Sequence, residues 1–143
     1  MSSLCEPLVG TLLQSLEKKD YSWFFHFGEN ITIGTESEWR FIAGGHILVT
    51  SSDHGHQFGL PSPVDAIAAV ISRTATEIVR AASISDATGD LRLDFGAGLQ
   101  LEFLQMSSGY ESWRLSGPGL SVICGGGGRL ALSDAGRLTN RCS

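Results

Sequence analysis

The sequence predicts an α+β fold: a duplicated, four-stranded antiparallel meander with an N-terminal helix and a central helix packed on the sheet. Three observations support this prediction: short segments in which apolar and polar residues alternate, an internal repeat, and two stretches with helical signatures. Eighteen of the 143 residues are glycine, which is nearly twice the usual share of about 7%. Many tight turns between short strands are therefore expected.

The first element is predicted to be an amphipathic helix over about residues 3–19. Ser3 and Glu6 have the spacing of a capping box, and Lys18 and Lys19 suit the negative end of the helix dipole. The apolar residues recur with the i, i+3, i+4, i+7 spacing of a helical stripe, which is expected to face the core. They are Cys5, Leu8, Val9, Leu12, Leu13 and Leu16.

One group of strands is predicted over residues 21–50 and a second over residues 76–124. The expected strands are 23–27, 31–33, 39–43 and 46–50 in the first group, and 76–82, 91–95, 99–104, 111–116 and 120–124 in the second. Another ordered segment is expected at 129–132, before a flexible tail over residues 133–143. Residues 1–132 are thus expected to form a single domain.

The central helix is predicted over residues 62–73. Ser62 is a favourable N-cap, Pro63 suits the first helical position, and Asp65 places a carboxylate in the first turn. The apolar residues that follow recur at helical spacing, and they predict a buried stripe.

An internal repeat relates the two groups of strands. Phe25–Ile33 aligns with Leu93–Leu101 at an offset of 93 − 25 = 68, and Trp39 aligns with Trp113 at an offset of 113 − 39 = 74. The second copy is therefore longer by 74 − 68 = 6 residues between the two blocks. Each copy is predicted to be two hairpins, which need packing against helices to cover their apolar face.

The charge balance narrows the classes of partner. Ten lysines and arginines against fifteen acidic residues leave a net charge of −5, which argues against general nucleic-acid binding. An acidic surface instead suits a basic protein partner, because it accelerates the encounter. It also fits a role in solubility alone.

Cysteine content and hydropathy predict a reduced, cytoplasmic protein. Cys5, Cys124 and Cys142 are odd in number and lack metal-type spacing. We expect neither a signal peptide nor a membrane-spanning segment, because the first apolar stretch is interrupted by polar residues and no apolar run is long enough.

A loop rich in histidine is a candidate metal site. In an extended segment His54 and His56 point to the same face, with Asp53 beside them. Two imidazoles and one carboxylate could bind zinc or a similar ion. The alternative is a polar loop whose histidines hydrogen-bond to the backbone and hold the start of the central helix.

The six-residue expansion of the second copy is a candidate contact surface. It presents Tyr110 and Glu111 beside Trp113, and aromatic residues dominate interaction hot spots. These two side chains could instead brace the loop. If a basic partner binds, the exposed carboxylates expected to assist association are Glu36, Glu38 and Glu111.

The predicted architecture is similar in outline to the Whirly-type fold, which also occurs among bacterial immunity proteins. Across residues 21–132 the chain resembles small cytosolic immunity proteins that accompany polymorphic toxins. The stretches that carry this resemblance include residues 53–65 and 108–113. It implies a non-catalytic protein, without a cofactor, that neutralises a cognate toxin by direct contact.

Two other functional hypotheses stay open at the level of sequence. One is a metal-binding enzyme or sensor that uses Asp53, His54 and His56. The other is a structural or homo-oligomeric module that uses an exposed sheet face.

Overall fold

A computed structural model describes residues 3–134 and 137–139. Over these residues it contains twelve strands and one α-helix, α1 (Ala66–Thr74), together with short 3-10 segments at Ser3–Leu8, Ser51–Asp53 and Gly126–Gly128. The strands are β1 (Leu13–Lys19), β2 (Ser22–Phe27), β3 (Ile31–Thr35), β4 (Trp39–Ala43), β5 (His46–Thr50), β6 (Ala81–Ile84), β7 (Leu91–Gly96), β8 (Leu99–Phe103), β9 (Trp113–Gly117), β10 (Leu120–Cys124), β11 (Leu130–Asp134) and β12 (Arg137–Thr139).

The strands form two antiparallel sheets. Sheet A has seven strands in the order β1-β2-β3-β9-β10-β11-β12, and sheet B has five in the order β5-β4-β8-β7-β6. Along β2, β7, β8 and β9, buried residues alternate with more exposed ones, because successive side chains point to opposite faces of a sheet. The coarse prediction of antiparallel sheet with helix is therefore confirmed.

The hydrophobic core lies between the inner faces of the two sheets. Phe25 of sheet A packs edge-on against Trp39 and Phe103 of sheet B, with ring centroids 5.2 and 4.8 Å apart. Trp23 contacts Trp39 in the same manner at 5.1 Å. Such edge-to-face aromatic pairs add to the stabilisation from burial, so this cluster joins the two sheets.

The strands of each repeat copy do not form one meander. The hairpins were predicted correctly, but β3 and β4 lie in different sheets, and so do β8 and β9. The first hairpin of one copy instead pairs with the second hairpin of the other, through β3–β9 in sheet A and β4–β8 in sheet B. A chain that crosses between sheets covers its own apolar faces, which an isolated meander cannot do.

The offsets of the repeat relate the two sheets strand by strand. Replacing each strand of the segment β2-β3-β9-β10 by its counterpart gives β7-β8-β4-β5, which is the order found in sheet B. In β5 the offset of 74 holds for Ile47, because Ile42 pairs with Ile47 as Ser116 pairs with Ser121. It changes to 122 − 49 = 73 beyond the bulge at Leu48, because Phe41 pairs with Val49 as Leu115 pairs with Val122. The alignment at an offset of 74 is therefore wrong by one residue only from Val49 onward.

The predicted N-terminal helix over residues 3–19 is wrong. A 3-10 segment ends at Leu8, and β1 then pairs with β2 along the edge of sheet A. Leu13 and Leu16 are buried three positions apart, as in a helix, because the register of β1 shifts between Leu13 and Ser15. A bulge places an extra residue in a strand, so it reproduces the spacing that suggested a helix.

The central helix exists, but it begins later than residue 62. Its N-cap is Asp65, whose side chain accepts a hydrogen bond from the Ala68 amide at 3.0 Å. Val64, just before the helix, exchanges backbone hydrogen bonds with Gly55 and His56. These bonds hold the predicted first turn in an extended conformation, and Ser62 and Pro63 lie outside the helix.

Two further boundaries differ from those predicted. The strand expected at 76–82 runs instead over Ala81–Ile84. The tail expected over 133–143 contributes to β11 as far as Asp134 and to β12 over Arg137–Thr139. Residues 135–136 and 140–143 lie outside the described residues.

Candidate functional site

A groove of about 880 Å³ lies on the outer face of sheet A. We call this feature the outer groove. Side chains from β2, β3 and β9 form its floor, and the loops over residues 35–37 and 105–112 form its walls. The residues that decide its chemistry are Phe24, Gly34, Glu36, Tyr110, Glu111 and Arg114. Serine and threonine hydroxyls complete the lining.

The floor of the groove is an aromatic ring lying over a glycine. A Cβ atom at Gly34 would stand 3.3 Å from Cε1 and 3.4 Å from Cδ1 of Phe24. The two residues are directly paired across β2 and β3. Because glycine has no side chain, the ring can extend over the neighbouring strand, and an apolar surface is left at the bottom of a polar groove.

The longer wall is the six-residue expansion of the second copy, and its backbone is held tightly. The Gln105 side chain donates to the carbonyls of Tyr110 and Gly125 at 3.0 and 2.6 Å, and it accepts from the Ser107 amide at 2.8 Å. Behind the loop, a Cβ at Gly126 would stand 2.6 Å from Cα of Gly109. The loop therefore packs directly on backbone, which only glycine at that position permits.

Tyr110 and Glu111 do not brace this loop through their side chains. Tyr110 is 81% exposed, and its hydroxyl has no hydrogen-bond partner among the described residues. Glu111 reaches Arg114, with Oε1 3.7 Å from Nη2 and both side chains more than half exposed. The bracing belongs to Gln105 and Ser107, so Tyr110 stands free at the wall of the groove.

The two other predicted contact residues have different environments. Glu36 is exposed, lines the groove and accepts a hydrogen bond from the Ser22 hydroxyl at 3.2 Å. Glu38 is not among the groove residues, and its carboxylate accepts hydrogen bonds from the hydroxyls of Ser51 and Ser52. Three of the four predicted contact residues thus share one site, and Glu38 holds the crossover between the sheets.

Asp53 and His54, proposed as metal ligands, have structural partners. Asp53 accepts from the Thr50 amide at 3.0 Å. Nδ1 of His54 accepts from the Ala66 amide at 3.0 Å, at the first residue of α1. The histidine ring also packs edge-on against Trp23 at 5.3 Å. The Asp53 carboxylate thus caps the 3-10 segment Ser51–Asp53, and the His54 ring nitrogen holds the start of α1.

The side chain of His56 has a different contact from those of Asp53 and His54. Its ring stacks on Phe58, with centroids 5.5 Å apart. Within residues 3–134 and 137–139, no group of three or more His, Cys, Asp and Glu residues is arranged to hold a metal ion. The histidine loop therefore has the geometry of a support for α1.

Cys124 is a buried thiol at the end of β10. Burial raises the pKa of this thiol, because the low-dielectric interior disfavours the thiolate. Its Sγ lies 3.5 Å from the carbonyl oxygen of Gly89. A thiol held in its protonated form is a poor nucleophile, so its environment is that of a core residue.

The outer face of sheet B differs from the groove. Glu102 lies between two arginines there, with Oε1 2.6 Å from Nε of Arg40 and Oε2 3.7 Å from Nε of Arg92. Residue type and loop position do not mark Phe24, Gly34 and Arg114 as site residues in the sequence. The repeat alignment contained the signal, because it matches Gly34 with Glu102 and so predicts two faces of different chemistry.

Among the described residues, no helix has the length and apolar character needed to cross a membrane.

Comparison with known proteins gives a family but no activity. No curated protein and no solved structure matches the chain significantly, so the similarity to the Whirly-type outline stays a prediction. A family model does match residues 24–134, which include the floor and both walls of the outer groove. The chain therefore belongs to DUF6188, a family of unknown function.

Proposed function

We propose that the chain is a non-catalytic protein-binding module that neutralises a bacterial toxin through the outer groove. The observation that carries this proposal is the convergence of Glu36, Tyr110 and Glu111 on one groove. Glu36 lies 110 − 36 = 74 residues before Tyr110 in the sequence, and the fold brings it to the same groove as the Tyr110–Glu111 pair.

The wall loop supports a contact role because it is rigid and presents an exposed aromatic side chain. Gln105 and Ser107 fix the backbone on either side of Tyr110. A loop that is ordered before binding loses little conformational entropy when a partner docks. Tyrosine is also enriched among residues that contribute most to interface affinity. Tyr110 is thus the expected anchor of the interface.

Charge contributes to the proposal through association rate. The net charge is −5, and Glu36 is exposed at the groove. An acidic surface accelerates the encounter with a basic toxin domain, and salt weakens this effect. Of the three carboxylates considered from sequence, Glu36 is the one expected to act in this way. Glu38 is engaged by two serine hydroxyls and Glu111 by an arginine, whereas Glu36 accepts a single hydrogen bond from the Ser22 hydroxyl.

The proposal is tested by capturing partners on the immobilised chain at low salt and comparing variants. Tyr110→Ala is expected to lose a stoichiometric partner, and Phe58→Ala is the matched control because Phe58 is 66% exposed outside the groove. The captured protein should be basic, toxic when expressed alone, and harmless when co-expressed with this chain. Equal capture by wild type and Tyr110→Ala, or a partner without toxicity, would contradict the proposal.

The electrostatic component has its own test in association kinetics. Glu36→Lys is expected to lower the association rate with the captured partner about tenfold or more at low salt, with little effect on dissociation. Glu29→Lys makes the same charge change at an exposed position outside the groove and should alter the rate less. If both variants behave alike, overall charge rather than the groove directs the encounter.

A homo-oligomeric role has one observation in its favour. β5 is the terminal strand of sheet B, and it exposes Ile47 and Leu48 by 55% and 40%. Terminal strands that lack charged side chains can pair with a second copy. This role would be supported if the mass of the wild-type protein rises with concentration in analytical ultracentrifugation. The Leu48→Lys variant should then keep the mass of a monomer at every concentration.

A further inference from the structure

The outer groove contains an arginine that lacks the partner found at the equivalent place in the other sheet. In sheet A, Gly34 is paired with Phe24 on one side and with Arg114 on the other. These three residues form a row across β2, β3 and β9, and all line the groove. The middle position of the row carries no side chain.

Sheet B contains the matching row, and its middle position carries a carboxylate. Glu102 is paired with Arg92 on one side and with Arg40 on the other. The repeat relates the two rows. Gly34 corresponds to Glu102 at an offset of 102 − 34 = 68, and Arg40 of β4 corresponds to Arg114 of β9 at an offset of 114 − 40 = 74. The side chain of Glu102 is only 12% exposed between its arginines. In this row both arginines therefore have a carboxylate partner from within the chain.

We propose that the outer groove binds a ligand that carries one carboxylate next to an apolar group. Arg114 takes the carboxylate, in the role that Arg40 plays toward Glu102, and the ring of Phe24 packs against the apolar group. This inference concerns the chemistry of the ligand. It rests on the proposed function only in that both assign binding to the outer groove.

The present partner of Arg114 is weak enough to be displaced. Glu111 Oε1 lies 3.7 Å from the guanidinium, and the two side chains are 60% and 64% exposed. Exposed pairs of this kind contribute little, because water and salt screen them. A ligand carboxylate that receives two parallel hydrogen bonds from the guanidinium forms a stronger interaction than this single contact.

The remaining groups of the groove limit the charge of the ligand. The charged residues that line the groove are Glu36, Glu111 and Arg114, so only one guanidinium is available and a second negative charge on the ligand would have no cationic partner. Serine and threonine hydroxyls along the walls can hydrogen-bond with a ligand without adding charge. The expected ligand is therefore a monocarboxylate, such as one acidic side chain next to an apolar one, or a small organic acid.

The direct test is a titration of ¹⁵N-labelled protein with 3-phenylpropionate, which combines a carboxylate and an aromatic ring. Its neutral amide, 3-phenylpropionamide, serves as the matched control. Saturable shifts are expected at amides of residues 32–35 and 113–116, with the amide binding about tenfold or more weakly because a charge-assisted hydrogen bond is lost. Equal binding of acid and amide, or no saturable shift, would overturn the inference.

Variants assign the effect to Arg114. Arg114→Gln should lose binding of the acid, whereas Glu111→Gln should strengthen it because the competing carboxylate is gone. Arg92→Gln removes an exposed arginine from the other sheet and should leave binding unchanged. Gly34→Glu places a carboxylate at the middle position and should block the acid. Wild-type affinity in Arg114→Gln, with a folded spectrum, would also overturn the inference.

Two peptides separate the possible sources of the carboxylate. A blocked tetrapeptide, acetyl-Ala-Glu-Phe-Ala-amide, is compared with its Gln-containing counterpart. Tighter binding of the acidic peptide than of 3-phenylpropionate assigns the carboxylate to a protein segment, and weaker binding assigns it to a free organic acid. If the acid fails to bind while Tyr110→Ala still abolishes toxin capture, the inference falls alone. If the acid binds and no toxin is captured, the proposed function falls alone.

Discussion

The outer faces of the two sheets share one register but differ in chemistry. On sheet B, Glu102 joins Arg40 and Arg92 across three adjacent strands. On sheet A, the matching middle position is Gly34, and the neighbouring ring of Phe24 occupies part of the space above it. One face is thus closed by its own ion pairs, and the other is left as an open groove.

The inner faces show why this divergence is tolerated. Phe25 and its counterpart Leu93 are both fully buried, and so are Ile33 and its counterpart Leu101. Close packing holds these positions to apolar residues of similar size. Outer positions have solvent on one side, so a change from glutamate to glycine there alters recognition chemistry at little cost to the fold.

The largest effect is expected from the contrast between two neighbouring residues of β2. Phe25→Ala should lower the free energy of unfolding by about 3–5 kcal/mol, because it leaves a cavity among packed aromatic rings. Phe24→Ala should cost about 1 kcal/mol or less, because its ring lies in the open groove. Urea unfolding followed by tryptophan fluorescence measures both. Similar losses would show that the outer face contributes to stability as the core does.

The next largest effect is expected from the two tryptophans that the repeat aligns, Trp39 and Trp113. Nε1 of Trp113 donates to the Gly89 carbonyl at 2.8 Å, whereas Nε1 of Trp39 has no hydrogen-bond partner within the described part of the chain. Both are buried, so replacement by phenylalanine removes a similar volume. Trp113→Phe should cost about 1–3 kcal/mol more, because it leaves the buried Gly89 carbonyl with only the weak S–H donor of Cys124. Equal unfolding free energies for the two variants would contradict this assignment.

A smaller loss of stability is expected when the ion pairs on the outer face of sheet B are removed. Glu102→Gln keeps the shape of the side chain but removes the charge between Arg40 and Arg92. Both arginines are 40% or more exposed, so solvent screening limits the cost to about 1 kcal/mol. The difference from wild type should shrink in 1 M salt, where charges are screened over about 3 Å. A difference that is independent of salt would indicate a packing effect.

The smallest effect concerns pH and Cys124. Burial raises the pKa of the thiol in the folded protein, so the unfolded chain loses this proton first as pH rises. The contribution is therefore fully present below the pKa of the unfolded chain and declines as pH rises toward the folded pKa.

Replacement of the thiol isolates this contribution. Cys124→Ser uses the residue found at the counterpart position 124 − 73 = 51. Between pH 8 and 10 the free energy of unfolding of wild type should fall more steeply than that of the variant, by less than about 1.4 kcal/mol per pH unit. Parallel pH profiles in urea titrations would show that the thiol does not titrate differently in the two states.

Most of the strand positions were predictable from local pattern. Alternating residues and turn-forming residues identified the four hairpins β2–β3, β4–β5, β7–β8 and β9–β10, because a tight antiparallel turn is encoded within a few residues. The N-terminal segment failed for a specific reason. A bulge between Leu13 and Ser15 gives a strand the i, i+3 spacing of a helix, and no local pattern separates these two possibilities.

The candidate site was only partly predictable. Tyr110, Glu111 and Glu36 were selected from residue type and loop position, and they do lie together in the outer groove. Glu38 has equally suitable chemistry, yet its carboxylate is engaged by Ser51 and Ser52. Hydrogen-bond partners that are more than ten residues apart depend on the crossover between sheets, and spacing along the chain does not report them.

Local sequence alone is enough to specify the hairpins, the turns and the central helix of this protein, because each depends on side-chain periodicity over a few residues. The pairing of β3 with β9 and of β4 with β8 is decided only in the tertiary structure. There the apolar faces of both copies are buried together, and the burial of a shared core is a property of the whole chain. The same pairing places Phe24, Gly34 and Arg114 in one row, so the groove exists only once the sheets have formed.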